Sequence, residues 1–490
     1  MKRAKSTIIV LALIFLVLTS WATPRTAASG LPHDDLADQE TAIRGENSPT
    51  RSLPDLDQTS TLADYLKYAA LNNPRLEAAF NRWQAALERV TQVTSLPDPR
   101  FNYAYYIEEV ETRVGPQRQK FGISQTFPWF GKLKLKGNAA FEAANAEQEQ
   151  YEKAKLHLFY RVKSAYYEYY YLGRAVAITK EHINLLINLE SVARTRFKTG
   201  HASHTAVIQA QVELGKLDDR LRTLESLREP IVAKLNAALN RPAEPPLPWP
   251  QTMPYQDPAF TDKEACDWLA ERNPDLKRLD FLTKQEQFAI KLARKNYYPN
   301  ITIGVDYIDT DEALMPDTPE SGKDPVIAKA SVNLPIWYGK YRAAEKEARL
   351  RHAAMQEQRV DTENQLEADL KLALYHFRDA ERKIDLYRDA LIPKADESLK
   401  VAQLGFQAGK VSFISLIDAE RLLLEFQLAY ERALADRAKR LAEIETLVNK
   451  DLSGNGPRGT EINSSDGESR GKTMPLTEDQ EYLQLKKSRG

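Results

Sequence analysis

The chain has 490 residues, and its 68 Lys and Arg against 69 Asp and Glu leave a net charge of -1. That balance carries no electrostatic footprint for nucleic acid, and the length suggests two to four domains. A single cysteine, Cys266, excludes a disulfide framework and any cysteine-rich metal site.

Residues 1–28 read as a secretory signal peptide. Lys2, Arg3 and Lys5 form the positive end, and Ser20-Trp21-Ala22 or Thr26-Ala27-Ala28 offers a cleavage site. The apolar core Ile8–Leu18 is shorter than the ~20 residues a spanning helix needs. No cysteine follows to carry a lipid anchor. Residues 29–60, polar and containing Pro32, Pro49 and Pro54, read as a flexible lead-in. A helical pattern follows from Thr61 to Ser95, with Asn73-Pro74 expected to kink or restart it. Phe101, Tyr103, Tyr105 and Ile107 then alternate with Asn102, Ala104, Tyr106 and Glu108, which predicts a strand. After a turn at Gly115-Pro116, Gln119–Thr126 returns as its hairpin partner, with Phe121 and Ile123 on one face and Gly122 and Ser124 on the other.

The chain next turns through Phe127-Pro128-Trp129-Phe130-Gly131 into an unbroken helical pattern from Lys132 to Thr199. Such a helix is about 100 Å long, more than a globular core requires. Gly200 ends it, and a second helix is expected from about Ser203 to Asn240. Residues 241–258 are Pro-rich and read as a stiff, extended connector.

The second half repeats the first. Asn273-Pro274 answers Asn73-Pro74, and Pro299 answers Pro99. Ile301–Ile308 and Val326–Leu334 alternate like strands around an acidic loop, Asp309–Pro325. Pro335, Trp337, Gly339 and Lys340 echo Pro128, Trp129, Gly131 and Lys132. A second long helix is predicted over Lys340–Ala408, with Leu366, Leu370, Ala373, Phe377, Ala380 and Ile384 in the four- and three-residue steps of a coiled-coil seam. Pro393 is expected to bend it. Phe406-Gln407-Ala408-Gly409 answers Phe197-Lys198-Thr199-Gly200, and Val411–Lys450 returns. Two repeats are therefore expected, 61–240 and 259–450, followed by a Gly-, Ser- and charge-rich disordered tail at 451–490.

Four strands with one apolar and one polar or small face, each long enough to cross a bilayer when tilted, have the pattern of a lipid-out, water-in barrel. Four strands cannot close one. Unpaired edge groups in lipid cost several kcal/mol each, so strands in a membrane need further strands from other copies; three chains would supply a 12-stranded barrel, although the strand count alone does not fix the number at three. The alternative is a soluble sheet packed on the helices. Trp129, Phe130, Trp337 and Tyr338 lie at strand ends, where interfacial aromatics belong.

The duplicated Asn-Pro pairs, the strand-Pro-x-x-x-Gly-Lys-helix junctions and the Phe-x-x-Gly ends, in this order over roughly residues 61–450, resemble the TolC family of trimeric outer-membrane efflux channels. The resemblance implies a mostly α fold: a long coiled-coil α-helical barrel plus four β-strands per chain, closing as a homotrimer in outer-membrane lipid of a Gram-negative cell and extending into the periplasm. It implies as partners a periplasmic adaptor (a membrane fusion protein) and an inner-membrane pump of the RND type. It places the adaptor-docking tips at Phe197, Gly200, His201, Ser203, Phe406, Gly409, Lys410 and Ser412, and the membrane–periplasm junction at Pro128, Trp129, Gly131, Lys132, Pro335, Trp337, Gly339 and Lys340. Asp418 matches an aspartate that constricts the entrance of the family's type member; three copies would form a ring of like charge favouring cations. Ser415 and Ala206 stand where that member has further gate aspartates. Leu96-Pro97-Asp98-Pro99 and the run from Gln125 to Lys132 are similar to the heavy-metal (CzcC/CusC-like) branch, implying heavy-metal cations as cargo. That branch often carries an N-terminal lipidated cysteine, which this chain lacks.

Five Met and seven His form no metal-binding tract. His201 and His204 read as surface histidines, and the tyrosine run from Tyr166 to Tyr171 as inter-helix packing. With no H-E-x-x-H, no G-x-S-x-G and no nucleophile environment at Cys266, neither an enzyme nor a cofactor is expected. A drug-efflux or type I protein-secretion channel is the nearest alternative; a soluble periplasmic coiled-coil adaptor or scaffold is the alternative from another class. An adaptor needs β-domains around one hairpin, whereas this chain has two equal halves.

Overall fold

In the computed structural model, residues 56–244, 246–253 and 258–452 are described; the signal peptide, most of the lead-in and nearly all of the tail lie outside them. Each Asn-Pro pair ends one helix and starts another. Helix α1 (Leu62–Asn72) stops at Asn73, whose side chain then caps α2 (Pro74–Thr94) by accepting from the Arg75 and Leu76 N–H groups at 3.0 and 3.2 Å. Pro74 fits the first helical turn, where its missing N–H costs nothing. In the second repeat Asn273 accepts from the Asp275 and Leu276 N–H groups in the same way, between α6 (Asp262–Arg272) and α7 (Pro274–Lys295).

These asparagines also tie each repeat shut. Asn73 Nδ2 donates to Ala238 O at 3.2 Å, and Asn273 Nδ2 to Leu447 O at 2.8 Å. Ala238 lies in α5 (Arg228–Leu239) and Leu447 in α10 (Phe413–Val448), the last helix of each repeat. Each of those helices ends on a left-handed asparagine, Asn240 or Asn449, which donates back to Asn72 O or Arg272 O. Asparagine suits both positions because its short amide tolerates the left-handed backbone and caps exposed ends.

The first long helix, α3, runs from Lys132 to Lys198 as 67 uninterrupted residues. The returning helix is not continuous as expected: α4 (His204–Ser226) stops at Leu227 before α5 begins. Pro230 has no N–H for the Ser226 carbonyl, which breaks the ladder there. The second long helix begins at Tyr338 and is also divided, into α8 (Tyr338–Leu386), a π-helical turn (Tyr387–Leu391) and α9 (Ile392–Gln407). Pro393 is the cause. It cannot donate to Asp389 O, and a widened turn lets the Ile392 N–H reach Tyr387 O instead. Helix α3 packs against α2, α7 and α10, so the two repeats share their helical core.

The connector does not stand free between the repeats. Leu247 is buried, and its carbonyl accepts from Tyr169 Oη at 2.7 Å and from Arg228 at 3.1 Å. Trp249 stacks on Tyr169 at 4.7 Å under the Arg228 guanidinium, and a Cβ at Gly173 would meet the Trp249 ring at 3.0 Å. The tyrosine run thus fastens the connector onto α3 as well as packing helices.

The four strands form one antiparallel sheet in the order β1 (Arg100–Val110), β2 (Gln117–Phe127), β3 (Ile301–Thr310), β4 (Val326–Val332). The central pairing, β2 with β3, joins the repeats, and Ile123 faces Val305 in it. One face carries rows such as Tyr103–Phe121–Tyr307–Val326 and Phe101–Ile123–Val305–Ala328; the other carries Asn102–Gly122–Asp306. Pairing of β1 lapses between Tyr105 and Val110, so the ladder does not fix the face of Ile107. Strand β4 ends at Val332, short of the expected Leu334: the Asn333 side chain accepts the Asn300 N–H at 2.5 Å, and Pro335 follows.

Candidate functional site

The sheet's apolar face is the first part of the site. Phe101, Tyr103, Tyr105, Ile303, Val305, Val326 and Val332 are all exposed on it. A contiguous exposed apolar face of this size needs a non-aqueous partner. Among the described residues, strands β1 and β4 each have one unpaired edge. Among the described residues, no helix is long and apolar enough to cross a membrane.

The two strand-to-helix junctions differ. In the first, Gly131 adopts φ +83°, which permits the turn into α3. Trp129 stacks on Tyr298 at 5.4 Å. Lys132, placed by the resemblance at the membrane–periplasm junction, is 6 % exposed; its ammonium donates to Tyr298 O and Asn300 Oδ1, both at 2.9 Å. Burial, with help from Lys136, holds this amine below its ordinary pKa. In the second junction Gly339 lies inside the first turn of α8, Lys340 is exposed, and Trp337 is 74 % exposed. Pro128 and Pro335 precede the two turns. The first junction is covered by Tyr298 and Asn300, just before β3; at the second, Tyr297 stacks on Tyr338 at 6.4 Å and meets Tyr341 at 5.4 Å, while Trp337 stays exposed.

The tips are built alike. Gly200 and Gly409 take φ +77° and +75°, and the next residue's N–H closes on a carbonyl five residues back: His201 on Arg196 O and Lys410 on Gly405 O, both at 2.8 Å. These are glycine-terminated helix ends in which left-handed backbone satisfies orphan carbonyls. Ser412 caps α10 through the Ser415 N–H at 3.2 Å, so Ser415 is engaged as a capping partner. Ser203 precedes α4, and Phe197 packs on His204 at 5.0 Å. Phe406 and Phe413 meet edge-on at 5.2 Å. Between the tips lies a cleft of ≈ 280 Å³, lined by residues including Arg196, His201, Gln209, Phe406 and Ile414. Arg196 binds the two tips together: it donates to Gln407 O and, at 3.2 Å, to His201 O, with its guanidinium 5.3 Å from the Phe406 ring centre. The motif reading missed Arg196. A basic residue in the last turn of a helix that stops at glycine was the available signal.

Asp418 projects from α10 with 60 % of its side chain exposed, 3.3 Å from Arg421. Arg421 also pairs with buried Glu213 on α4. Arg421 first, then Lys216, holds the Glu213 carboxyl below the usual range, against the opposing effect of burial. Asp418 is thus the exposed end of a three-residue chain of alternating charge joining the two returning helices. Ala206 is buried in the apolar cluster beneath the tips with Leu416 and Leu423. Sequence periodicity gave no sign of the polar contacts that link α3 to α10. Lys163 pairs with Glu445 at 2.5 Å, each 8 % exposed. His182 lies 2.7 Å from Glu420 and 3.0 Å from Gln427, and Arg174 pairs with Glu431 at 2.8 Å. Burial pushes the Cys266 thiol up, away from thiolate chemistry. Among the described residues no three His, Cys, Asp or Glu are grouped to hold a metal.

Solved structures with this arrangement include outer-membrane proteins. The outer membrane protein VceC from Vibrio cholerae superposes with a TM-score of 0.64 at 17% identity, covering 81% of this chain and 96% of its own. The channel CusC gives 0.67 at 17% identity, covering 82% and 94%. Among curated sequences, the cobalt-zinc-cadmium resistance protein CzcC of Cupriavidus metallidurans is 19% identical over 401 residues, 80% of this chain and 90% of that protein. The toxin and drug export protein A of Aggregatibacter actinomycetemcomitans is 27% identical over 184 residues, which span 37% of this chain and only 40% of that relative. The description "Outer membrane efflux protein" matches residues 65–241 and 267–450, one stretch in each repeat. With the duplicated helical frame, the four-stranded sheet and this two-part match, the chain belongs to the outer membrane efflux protein family.

Proposed function

We propose that the chain works as a passive exit duct: three copies close a 12-stranded barrel in the outer membrane of a Gram-negative cell, and their long helices form a tunnel into the periplasm. The observation that carries this reading is the sheet, whose apolar face is exposed on β1, β3 and β4 and half-buried on β2, while among the described residues β1 and β4 keep unpaired edges. Lipid covers such a face, and ring closure by other copies removes such edges. A periplasmic adaptor docks at the tips, residues 198–205 and 407–414, and an RND-type inner-membrane pump supplies the energy. Opening repacks the tip helices between two arrangements. Asp418 contributes to a cation-favouring ring at the narrow end. The cargo class is heavy-metal cations, supported by the likeness to the cobalt-zinc-cadmium resistance protein over 80% of this chain. Export of drugs or toxins is the second reading, favoured by the higher identity to the toxin and drug export protein over a shorter stretch.

Fractionation tests the duct: a heat-resistant oligomer in outer membranes supports it, and a soluble monomer refutes it. A deletion strain tests the cargo. Hypersensitivity to divalent metals, with unchanged tolerance of detergents and dyes, is the expected outcome. The reverse pattern selects drug export.

A further inference from the structure

The polar face of the sheet carries a charge pattern with consequences for what crosses it. On that face Arg100, Ser124, Gly304 and Lys329 form one row across all four strands. Lys120 sits on the same face of β2, opposite Ile308. Asp306 is the one carboxylate among them. It is 1 % exposed, with Lys120 Nζ at 2.7 Å and Lys329 Nζ at 2.5 Å. Its neighbour Gly122 leaves it room: a Cβ there would lie 2.4 Å from Asp306 Oδ1. The remaining residues in register on this face, such as Asn102, Ala104, Thr126, Thr302 and Ser331, are uncharged. Among the residues held in register, three cations against one buried carboxylate leave two positive charges per chain; Glu108 and Arg118, where the pairing lapses, carry opposite charges and offset each other. The carboxylate is covered by its lysines, whereas Arg100 is exposed and Lys120 and Lys329 are partly so.

We propose that this face forms a basic ring around the β-section of the pore, with Arg100, Lys120 and Lys329 making it prefer anions over cations. The inference rests on the exit-duct reading, which turns the polar face toward the lumen. A ring of fixed charge in a water-filled pore raises the local concentration of counter-ions and repels ions of its own sign. Its sign is opposite to that at Asp418, so the duct carries two filters in series, acidic at the tips and basic in the barrel. Asp306 sets the spacing: held between the lysines, it keeps both side chains on the polar face instead of letting them repel each other. The basic section slows passive exchange of cations through the barrel in either direction, while a pump-driven flux is set by the pump.

Reversal potentials of single channels in planar bilayers under a KCl gradient test this. Lys120→Gln with Lys329→Gln is expected to lower the chloride-to-potassium permeability ratio by about two-fold or more at about 0.1 M salt, where the Debye length is ~10 Å. The change should fade near 1 M, where screening shortens that length to ~3 Å. Arg100→Gln, on the exposed edge strand and without a buried partner to strand, should shift the ratio in the same direction and guards against a folding defect in the double variant. Asp418→Ala should shift it the opposite way. A wild-type protein that inserts and conducts, with a ratio unmoved by the lysine and arginine variants, overturns the basic ring and leaves the duct standing. A wild-type protein that forms no channel overturns the duct and the ring with it.

Discussion

Arg196 and Arg421 hold the tips in different ways, and both are open to test. Arg196 reaches from the end of α3 to the carbonyl of Gln407 in the other tip. Replacing it with Ala removes charge-assisted bonds of the kind worth roughly 1.5–3 kcal/mol each. Amide hydrogen exchange at 199–203 and 405–411 should then speed up, with protection in α2 and α7 unchanged; unaltered exchange at the tips would show that Arg196 does not couple them. Arg421 acts on Glu213, whose carboxyl it keeps below the ordinary range. A depressed folded-state pKa means that the pair stabilises above the unfolded glutamate value of ~4.3 and that this contribution is lost as pH falls through the folded value. Contact between α4 and α10 should therefore loosen below about pH 4. Glu213→Gln should flatten that acid dependence, measured by thermal unfolding at neutral and acid pH. An identical acid response in the variant would place its origin elsewhere. Glycine and asparagine at the tips and caps were legible because each marks a backbone requirement. The two arginines were not, because a long cation declares its partner only when the fold brings distant segments together.

At the scale of elements, apolar periodicity located the long helices and the strands, since burial of one face leaves a regular imprint. It did not locate the interruptions. Pro230 and Pro393 are visible in the sequence, yet one ends a helix near Leu227 and the other is absorbed by a π-helical turn. A proline states that a hydrogen bond is missing and leaves its replacement to the surroundings. The α3–α10 contact was half legible for a similar reason. Leu416, Ala419 and Leu423 follow three- and four-residue steps, while Lys163, His182 and Arg174 lie on α3 among hydrophobic neighbours and find acidic partners some 240 to 280 residues away. Removing one member of a buried pair leaves the other charge without its main compensation. Lys163→Met should therefore destabilise the helical core by about 3–5 kcal/mol. The double variant with Glu445→Leu should recover much of that loss, because two well-packed apolar groups replace the pair. Urea unfolding of the two variants side by side measures it, and equal losses in both would show that packing, not charge pairing, sets the cost.

The whole molecule turns on an asymmetry between two copies of one plan. The first junction is closed by its own chain: Trp129 rests on Tyr298, and Lys132 is buried against Asn300. The second has Tyr338 stacked on Tyr297 but leaves Ile336 and Trp337 largely exposed beside the edge of β4. If each junction is covered by the start of the next repeat in a ring, the second junction meets the first repeat of a neighbouring copy, and a single chain is an incomplete object. The decisive contrast lies in β2, where consecutive residues lie on opposite faces of the sheet and, in the exit-duct reading, meet different media. Ile123 stands in the apolar row with Phe101 and Val305, and Ser124 in the polar row with Arg100 and Gly304. Ile123→Asp puts a charge into lipid at a cost of about 2 kcal/mol per chain, incurred in every copy. Ser124→Asp places the same charge in water near Arg100 and Lys329. The first variant should lower the yield of heat-resistant oligomer in outer membranes sharply, and the second should leave it near the wild-type level. Equal losses would mean that the two faces of β2 see the same solvent, which a lipid-out, water-in barrel forbids.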